Sequence, residues 1–415
     1  MLNGGKKVTQ KNEIIEKYLI TGIYILFLLQ DPLAGYWKIS IFAQFDEILA
    51  IASIFAIFVQ WARMHFRLIY KKDLIRAISA FLLLALVGVF SNLTTQYQSL
   101  PFIFLDILTC SKMYIGIVCA CSLFPHGLVE KTKKSLSNIT VLFICVYFIL
   151  AMHDFLFPPL LSVLYDGGLK CIALAYSNVT YLAGYGIVLF SVLFLTRKYQ
   201  KHFVLLALLS SITVCLTFRS KAMGFLCCAW MLYLTLRKGN AKQSENKLIL
   251  TAPFVLAGML LIAWDKISLY FFTESHYSPR DILLNIAMDL AREHFPLGTG
   301  FGTFCSVASL SNISPIYGKY GYNYFAAVYD MFWGCLIGQF GVLGTICFVI
   351  SIIFIGFAIW KKQNKCKETF FCGLFLLLYL CIASLGECSF FSPYSIGYGF
   401  LIGISIQEVE EVKNE

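Results

Sequence analysis

The 415-residue chain is 59% hydrophobic and only 13% charged, with a formal net charge of +10. A water-soluble domain runs nearer half apolar and a quarter charged, so a single aqueous core cannot hide this excess and lipid must solvate it. The basic residues fall in short clusters between apolar runs, with no basic domain to grip a phosphate backbone, which excludes a nucleic-acid-binding protein.

Backbone groups in lipid must be satisfied internally, which leaves helices or a closed barrel. Barrel strands alternate over about 10 residues, whereas runs such as Leu248–Trp264 and Phe340–Trp360 are continuously apolar, so helices are expected. Lys6, Lys7, Lys11 and Lys17 precede the first apolar run, and no small-residue cleavage site follows it. It reads as an uncleaved first span over 18–35. Further spans are expected at 42–62, 77–94, 103–124, 138–157, 172–195, 203–218, 222–236, 248–264, 334–360, 369–386 and 393–407. The expected fold is an all-α polytopic bundle of about twelve transmembrane helices, one domain over 1–415.

Basic residues populate every second connection. Arg63, Arg67, Lys71, Lys72 and Arg76 occupy one; Lys131, Lys133 and Lys134 the next; then Arg197, Lys198 and Lys201. Arg237, Lys238, Lys242 and Lys247 follow, and after them Lys361, Lys362, Lys365 and Lys367. By the positive-inside rule these connections and both termini face the cytoplasm. Among the 15 Cys, most lie within apolar runs, where a thiol behaves as a small hydrophobe, and no spacing resembles a zinc site. Cys171 and Cys305 fall in or beside expected exterior segments, where a disulfide between them is open.

One exterior connection is long, covering 265–333 between the ninth and tenth spans. Ser278, Pro279 and Asp281 form a helix start, and the helix should run to about Glu293, ahead of Pro296. Leu283, Ile286 and Leu290 share one face, opposite Asp281, Asn285, Asp289 and Arg292, which predicts an amphipathic helix on the bilayer surface. Arg280 lies in its first turn, where free N–H groups also favour an anion. His294 to Gly302 then carries Gly298, Gly300 and Gly302 at alternate positions, which lets the backbone turn tightly and approach a ligand. No strand precedes them, so a dinucleotide-binding reading fails. Tyr317, Tyr320, Tyr322, Tyr324, Phe325 and Tyr329 read either as sugar-stacking faces or as an interfacial aromatic belt.

Three stretches together resemble the bacterial O-antigen ligase and repeat-unit polymerase group of membrane proteins. Thr217–Ala222, with Arg219, Ser220 and Lys221, looks like that group's short exterior Ser-Arg motif. Arg280 followed by His294–Phe304 resembles its long-loop signature, and Asp330–Trp333 leading into Gln339–Gly344 is similar to its closing motif. Ser220-Lys221 departs from Ser-Arg, and Asp330-Met331 stands where ligases usually carry His-Asn, which tilts the resemblance toward a polymerase.

The resemblance implies transfer of a glycan from undecaprenyl diphosphate to a sugar hydroxyl at the outer face of a bacterial inner membrane. Its substrate is an undecaprenyl-diphosphate-linked oligosaccharide within membrane lipid. A chain-length regulator and a flippase of the same pathway are implied partners, and that chemistry requires neither cofactor nor metal. The protein must supply cations for the departing diphosphate and a base for the acceptor. Arg219 or Lys221, with Arg280 and Arg292, would hold the diphosphate, while Arg280, Asp330 and His294 are the catalytic candidates. Against these stand plainer readings: snorkelling for Arg219 and Lys221, a solvated helix end for Arg280, an ion pair for Arg292, a capping carboxylate for Asp330 and a structural hydrogen bond for His294. The alternative functions are a ligase acting on lipid A core and, in another class, a lipid-linked oligosaccharide flippase or transporter, for which Asp46, Glu47, Asp106 and Lys112 are the mid-span charges to watch.

Overall fold

The computed structural model describes residues 2–64, 70–166, 168–237, 279–321 and 331–407. The helices α1 (Leu2–Gly35), α2 (Phe45–Arg63), α3 (Lys72–Thr95), α4 (Leu100–Leu123) and α5 (Glu130–Leu156) come first. A hairpin of β1 (Ser162–Asp166) and β2 (Leu169–Leu174) follows, then α6 (Val179–Leu195), α7 (Phe203–Cys215) and α8 (Ser220–Leu236). After α8 come α9 (Pro279–Glu293), α10 (Val307–Ser311), α11 (Pro315–Lys319), α12 (Phe332–Trp360), α13 (Lys367–Ala383) and α14 (Ser395–Gln407).

Among the described residues, six helices are long and apolar enough to cross a membrane: α1 from Glu13, α2 with the turn before it, α3, α4, α5 and α12. The helices α6, α7, α8 and α14 are apolar but shorter. The expected ninth span, 248–264, lies outside the described residues. Large apolar side chains such as Phe55, Leu86, Phe104 and Ile149 are exposed around the bundle. A belt of that size is stable against lipid and not against water.

The sheet corrects the expectation of helix from 172 onward. Cys171–Leu174 belong to β2, whose Tyr165–Lys170 and Val163–Ile172 pairs set an antiparallel register. The buried Asp154 carboxylate accepts the N–H groups of Leu160 at 2.8 Å and Leu161 at 3.2 Å, turning the chain after α5 into the hairpin. Pro158 and Pro159 bar continuation of that helix. Helix α6 starts only at Val179, where Asn178 accepts the Thr180 N–H at 2.9 Å. The pairing left open for two cysteines does not form. Cys171 and Cys305 are both free thiols, packed in separate apolar clusters, one with Ala173 and Val179 and the other under α9.

The core pairs are α4 with α14 and α3 with α12. The first is backbone on backbone: a side chain at Gly116 or Gly399 would collide with the Ile396 or Met113 carbonyl of the facing helix. Small residues serve this purpose in lipid, where close van der Waals contact replaces the hydrophobic drive. The basic connections meet at their own ends: Lys131 pairs with Glu13 at 2.9 Å, Lys198 with Glu130 at 3.2 Å, and Lys361 with Asp73.

Candidate functional site

The long loop enters the bundle through a break in α12. Gly341 leaves the helical conformation at φ 59°, ψ −162°, dividing α12 into two segments. The chain around Gly298 lies against that break. The Thr299 N–H donates to the Gly338 carbonyl at 3.0 Å and the Gly300 N–H to the Gln339 carbonyl at 2.7 Å. On the other side of the break the Leu343 N–H donates to the Pro296 carbonyl at 3.2 Å. The loop thus satisfies backbone groups that the break frees, as irregular backbone inside a membrane bundle requires.

From α3, Ser91 donates to the Leu297 carbonyl at 2.8 Å and Thr95 to that of Thr299 at 2.8 Å. The Gln98 amide donates to the Gly302 carbonyl at 2.7 Å, and buried Asp106 of α4 accepts the Gly302 N–H at 2.7 Å. Gly298, Gly300 and Gly302 take φ of +75°, +98° and +72°. At Gly300 an added Cβ would stand 2.6 Å from the Asn92 side chain. The close approach is to the protein's own helices: Gly298 to α12, Gly300 to α3, and Gly302 to Gln98 and to Phe102 of α4. Phe301 is buried against Phe340, ring centroids 4.8 Å apart.

Helix α9 covers the outer side of this loop. Leu283, Ile286, Ala287 and Leu290 are buried against Phe304, Cys305, Ile316, Tyr317 and Cys335. Arg280 is half-buried in its first turn. Arg292 faces outward at 76% exposure, 3.3 Å from Asp289, an i,i+3 pair of small energetic weight. His294 closes the helix: its N–H donates to the Leu290 carbonyl, and its own carbonyl accepts the Leu297 N–H at 2.9 Å. Its ring stands edge-on to Tyr97, 5.8 Å between centroids. Glu293 is held below its ordinary carboxylate range, first by the hydrogen bond from Lys319. Burial against the same cluster pushes the Tyr317 hydroxyl up, while that hydroxyl accepts the Cys305 N–H at 2.9 Å.

The Ser-Lys stretch stands at the head of α8. Phe218 turns at φ 50°, Arg219 takes the extended N-cap conformation, and Lys221 makes an ion pair with Glu387. Glu387 also accepts from the buried Tyr394 hydroxyl at 2.9 Å. Sequence reading passed over Glu387 because it lies between two apolar spans, where the one signal was a lone carboxylate in an apolar tail. The next residue, Cys388, and Phe391 pack on the cluster that α9 covers. Lys221 at the head of α8 thus reaches the loop 384–394, whose Cys388 and Phe391 pack on the cluster shared by α9 and the head of α12. Asp330, like Tyr322, Tyr324, Phe325 and Tyr329, lies outside the described residues.

No protein-family model and no curated protein matches the chain. Among the described residues no group of three or more His, Cys, Asp or Glu is placed to hold a metal ion. What the site offers is cationic groups and one carboxylate–ammonium pair, a set suited to an anionic substrate that carries a hydroxyl.

Of the mid-span charges, Lys112 meets Asp46 and Glu47 in a buried cluster between α2 and α4, the Glu47 contact being 2.6 Å. Asp106 stands apart from it, on the glycine loop.

Proposed function

We propose that the protein joins oligosaccharide repeat units carried on undecaprenyl diphosphate, as a polymerase of O-antigen or capsular polysaccharide at the outer face of a bacterial inner membrane. In this reaction an acceptor hydroxyl attacks the anomeric carbon of the donor. The bond from that carbon to the diphosphate oxygen breaks, the lipid diphosphate leaves, and the hydroxyl proton passes to a base. Arg219, Lys221 and Arg280 neutralise the diphosphate, with Arg best shaped for it because its fork matches two phosphate oxygens. Glu387 accepts the proton, a role for which Asp330 is the other carboxylate, and Lys221 orients Glu387. His294 shapes the entry of the loop, and Arg292 contributes long-range positive charge.

The observation that supports this reading best is the Lys221–Glu387 pair at the head of α8, beside the loop that packs under α9. It offers a cation and a carboxylate within one contact, with Lys221 inside the stretch that resembles the short exterior motif. Two other observations favour a second reading, a lipid-linked oligosaccharide flippase or other secondary transporter. These are the break in α12 and the buried Lys112–Asp46–Glu47 cluster, both common in transporter cores.

Deleting the gene and resolving surface glycan on gels separates the readings. Single repeat units still attached to the core mean a lost polymerase, and no attached units mean a lost ligase or flippase. In a polymerase, Arg280→Ala abolishes long chains while the protein stays in the membrane at normal level. A normal ladder in that variant removes Arg280 from the site.

A further inference from the structure

The cluster at the top of α2 carries unequal charge. Asp46 and Glu47 each contact the Lys112 ammonium, with side-chain exposures of 1% for Asp46, 3% for Lys112 and 28% for Glu47. Gln30 of α1, itself 4% exposed, donates its amide to Asp46 at 2.8 Å. Two carboxylates against one ammonium leave one excess negative charge largely withdrawn from water, and an unpaired buried ion is costly.

The hydrogen-bond inventory is unequal in the same sense. Oε2 of Glu47 and Oε1 of Gln30 are buried acceptors with no donor. Both carboxyls converge on the one Lys112 ammonium. One added proton changes both counts at once. It brings the cluster to neutrality and turns an orphan acceptor into a donor toward the neighbouring carboxylate. A metal cation would instead be repelled by the Lys112 ammonium that already fills the space between the acids.

Among the described residues no second ammonium or guanidinium contacts either acid, and the first-turn N–H groups of α2, which favour negative charge, offset the excess only in part. Helix α1 adds Asp31, already bound to the Ser177 N–H and hydroxyl at 2.7 Å each, and α6 adds Tyr185, facing Asp31 and Asp46. The turn 40–44 carries no titratable residue, and Tyr398 of α14 donates to the Gly184 carbonyl. On α4, Cys119 faces Ser53, two turns along α2 from Asp46.

We propose that Asp46 and Glu47 bind and share one proton inside the bundle, held by Lys112 and Gln30, with partly exposed Glu47 as its route in and out. The site is independent of which lipid-linked substrate the protein handles.

The test uses the full-length protein reconstituted in phosphatidylcholine vesicles, with infrared absorption recorded across a pH titration. A protonated-carboxyl C=O band should persist at neutral pH, fade as pH rises, and be lost from both Glu47→Gln and Asp46→Asn. An unchanged band in both variants, or wild-type protein without one at neutral pH, overturns the proposal. Thermal unfolding gives a second reading from the near-isosteric Glu47→Gln alone, should Asp46→Asn not fold. A carboxyl held protonated in the folded state stabilises at low pH and loses that contribution as pH rises. The wild-type midpoint should therefore drop relative to Glu47→Gln on going from neutral to alkaline pH. A relative midpoint that instead climbs from acid to neutral pH and then stays flat marks two ionised carboxylates and refutes the shared proton.

Discussion

The side-chain amide of Asn92 grips the backbone of Phe301 from both sides, accepting its N–H at 2.8 Å and donating to its carbonyl at 2.9 Å. Both residues are buried, so water cannot replace either bond. The grip fixes the glycine loop to α3 just where the loop crosses the broken α12.

Replacing Asn92 by Ala strands two buried backbone groups. At about 1–3 kcal/mol for each unsatisfied group, the loss should reach about 2–6 kcal/mol, read as a lowered unfolding midpoint in detergent micelles. Thr95→Ala, which removes one side-chain donor, should cost about 1 kcal/mol. An Asn92→Ala midpoint equal to wild type would mean that the loop is anchored by other bonds.

Gly300→Ala sets a left-handed backbone against a Cβ that has no room beside Asn92. Strain and overpacking together should cost about 2–4 kcal/mol. Gly318→Ala is the control, since its Cβ meets nothing within 4 Å, and it should shift stability by no more than about 0.5 kcal/mol. Equal folded yields for the two variants would contradict the packing described for the loop.

Lys221 and Glu387 should couple. Lys221→Met or Glu387→Gln alone breaks this ion pair and leaves one largely buried charge behind, whereas the double variant removes both. A double-mutant cycle on unfolding stability is expected to give an interaction of about 1–3 kcal/mol, and additive effects would deny the pair. If Glu387 is the proton acceptor, Glu387→Gln also loses long-chain glycan with membrane level unchanged.

The Glu293–Lys319 pair predicts a shallow pH window. Glu293 is depressed by Lys319, so its contribution exists above the ordinary carboxylate range and fades as pH falls through its lowered value. Lys319 is raised by the same hydrogen bond, so its contribution is complete below the ordinary lysine range and is lost as pH climbs through its raised value. Both groups face water, and salt should shrink the effect. Comparing wild type with Glu293→Gln across mildly acidic pH checks it: the two midpoints should converge as acid protonates the wild-type carboxyl, and a constant gap would rule the pair out as the cause.

Much of the fold was legible because lipid enforces simple rules. Long apolar runs became helices at α3, α4 and α12 within a few residues of their expected bounds, α5 begins eight residues before its expected start, and the 3.6-residue period of Leu283, Ile286 and Leu290 marked the buried face of α9. The hairpin was not legible, since an apolar run such as Cys171–Leu174 suits a strand or a helix equally until Asp154 turns the chain before it. Nor was the function of the glycine spacing. Alternate glycines announce close backbone approach, but their partner, a break at Gly341 some forty residues away, is a long-range fact.

By itself the sequence determined that the chain carries long apolar helices suited to a membrane and roughly where several of them run, because hydrophobic length and periodicity are local properties of neighbouring residues. Which charges meet is a different kind of information. Lys221 finds Glu387, and Lys112 finds Asp46 and Glu47, across separations of 65 residues or more. Those encounters depend on how helices cross and which faces they turn to one another, and only the tertiary structure decides that.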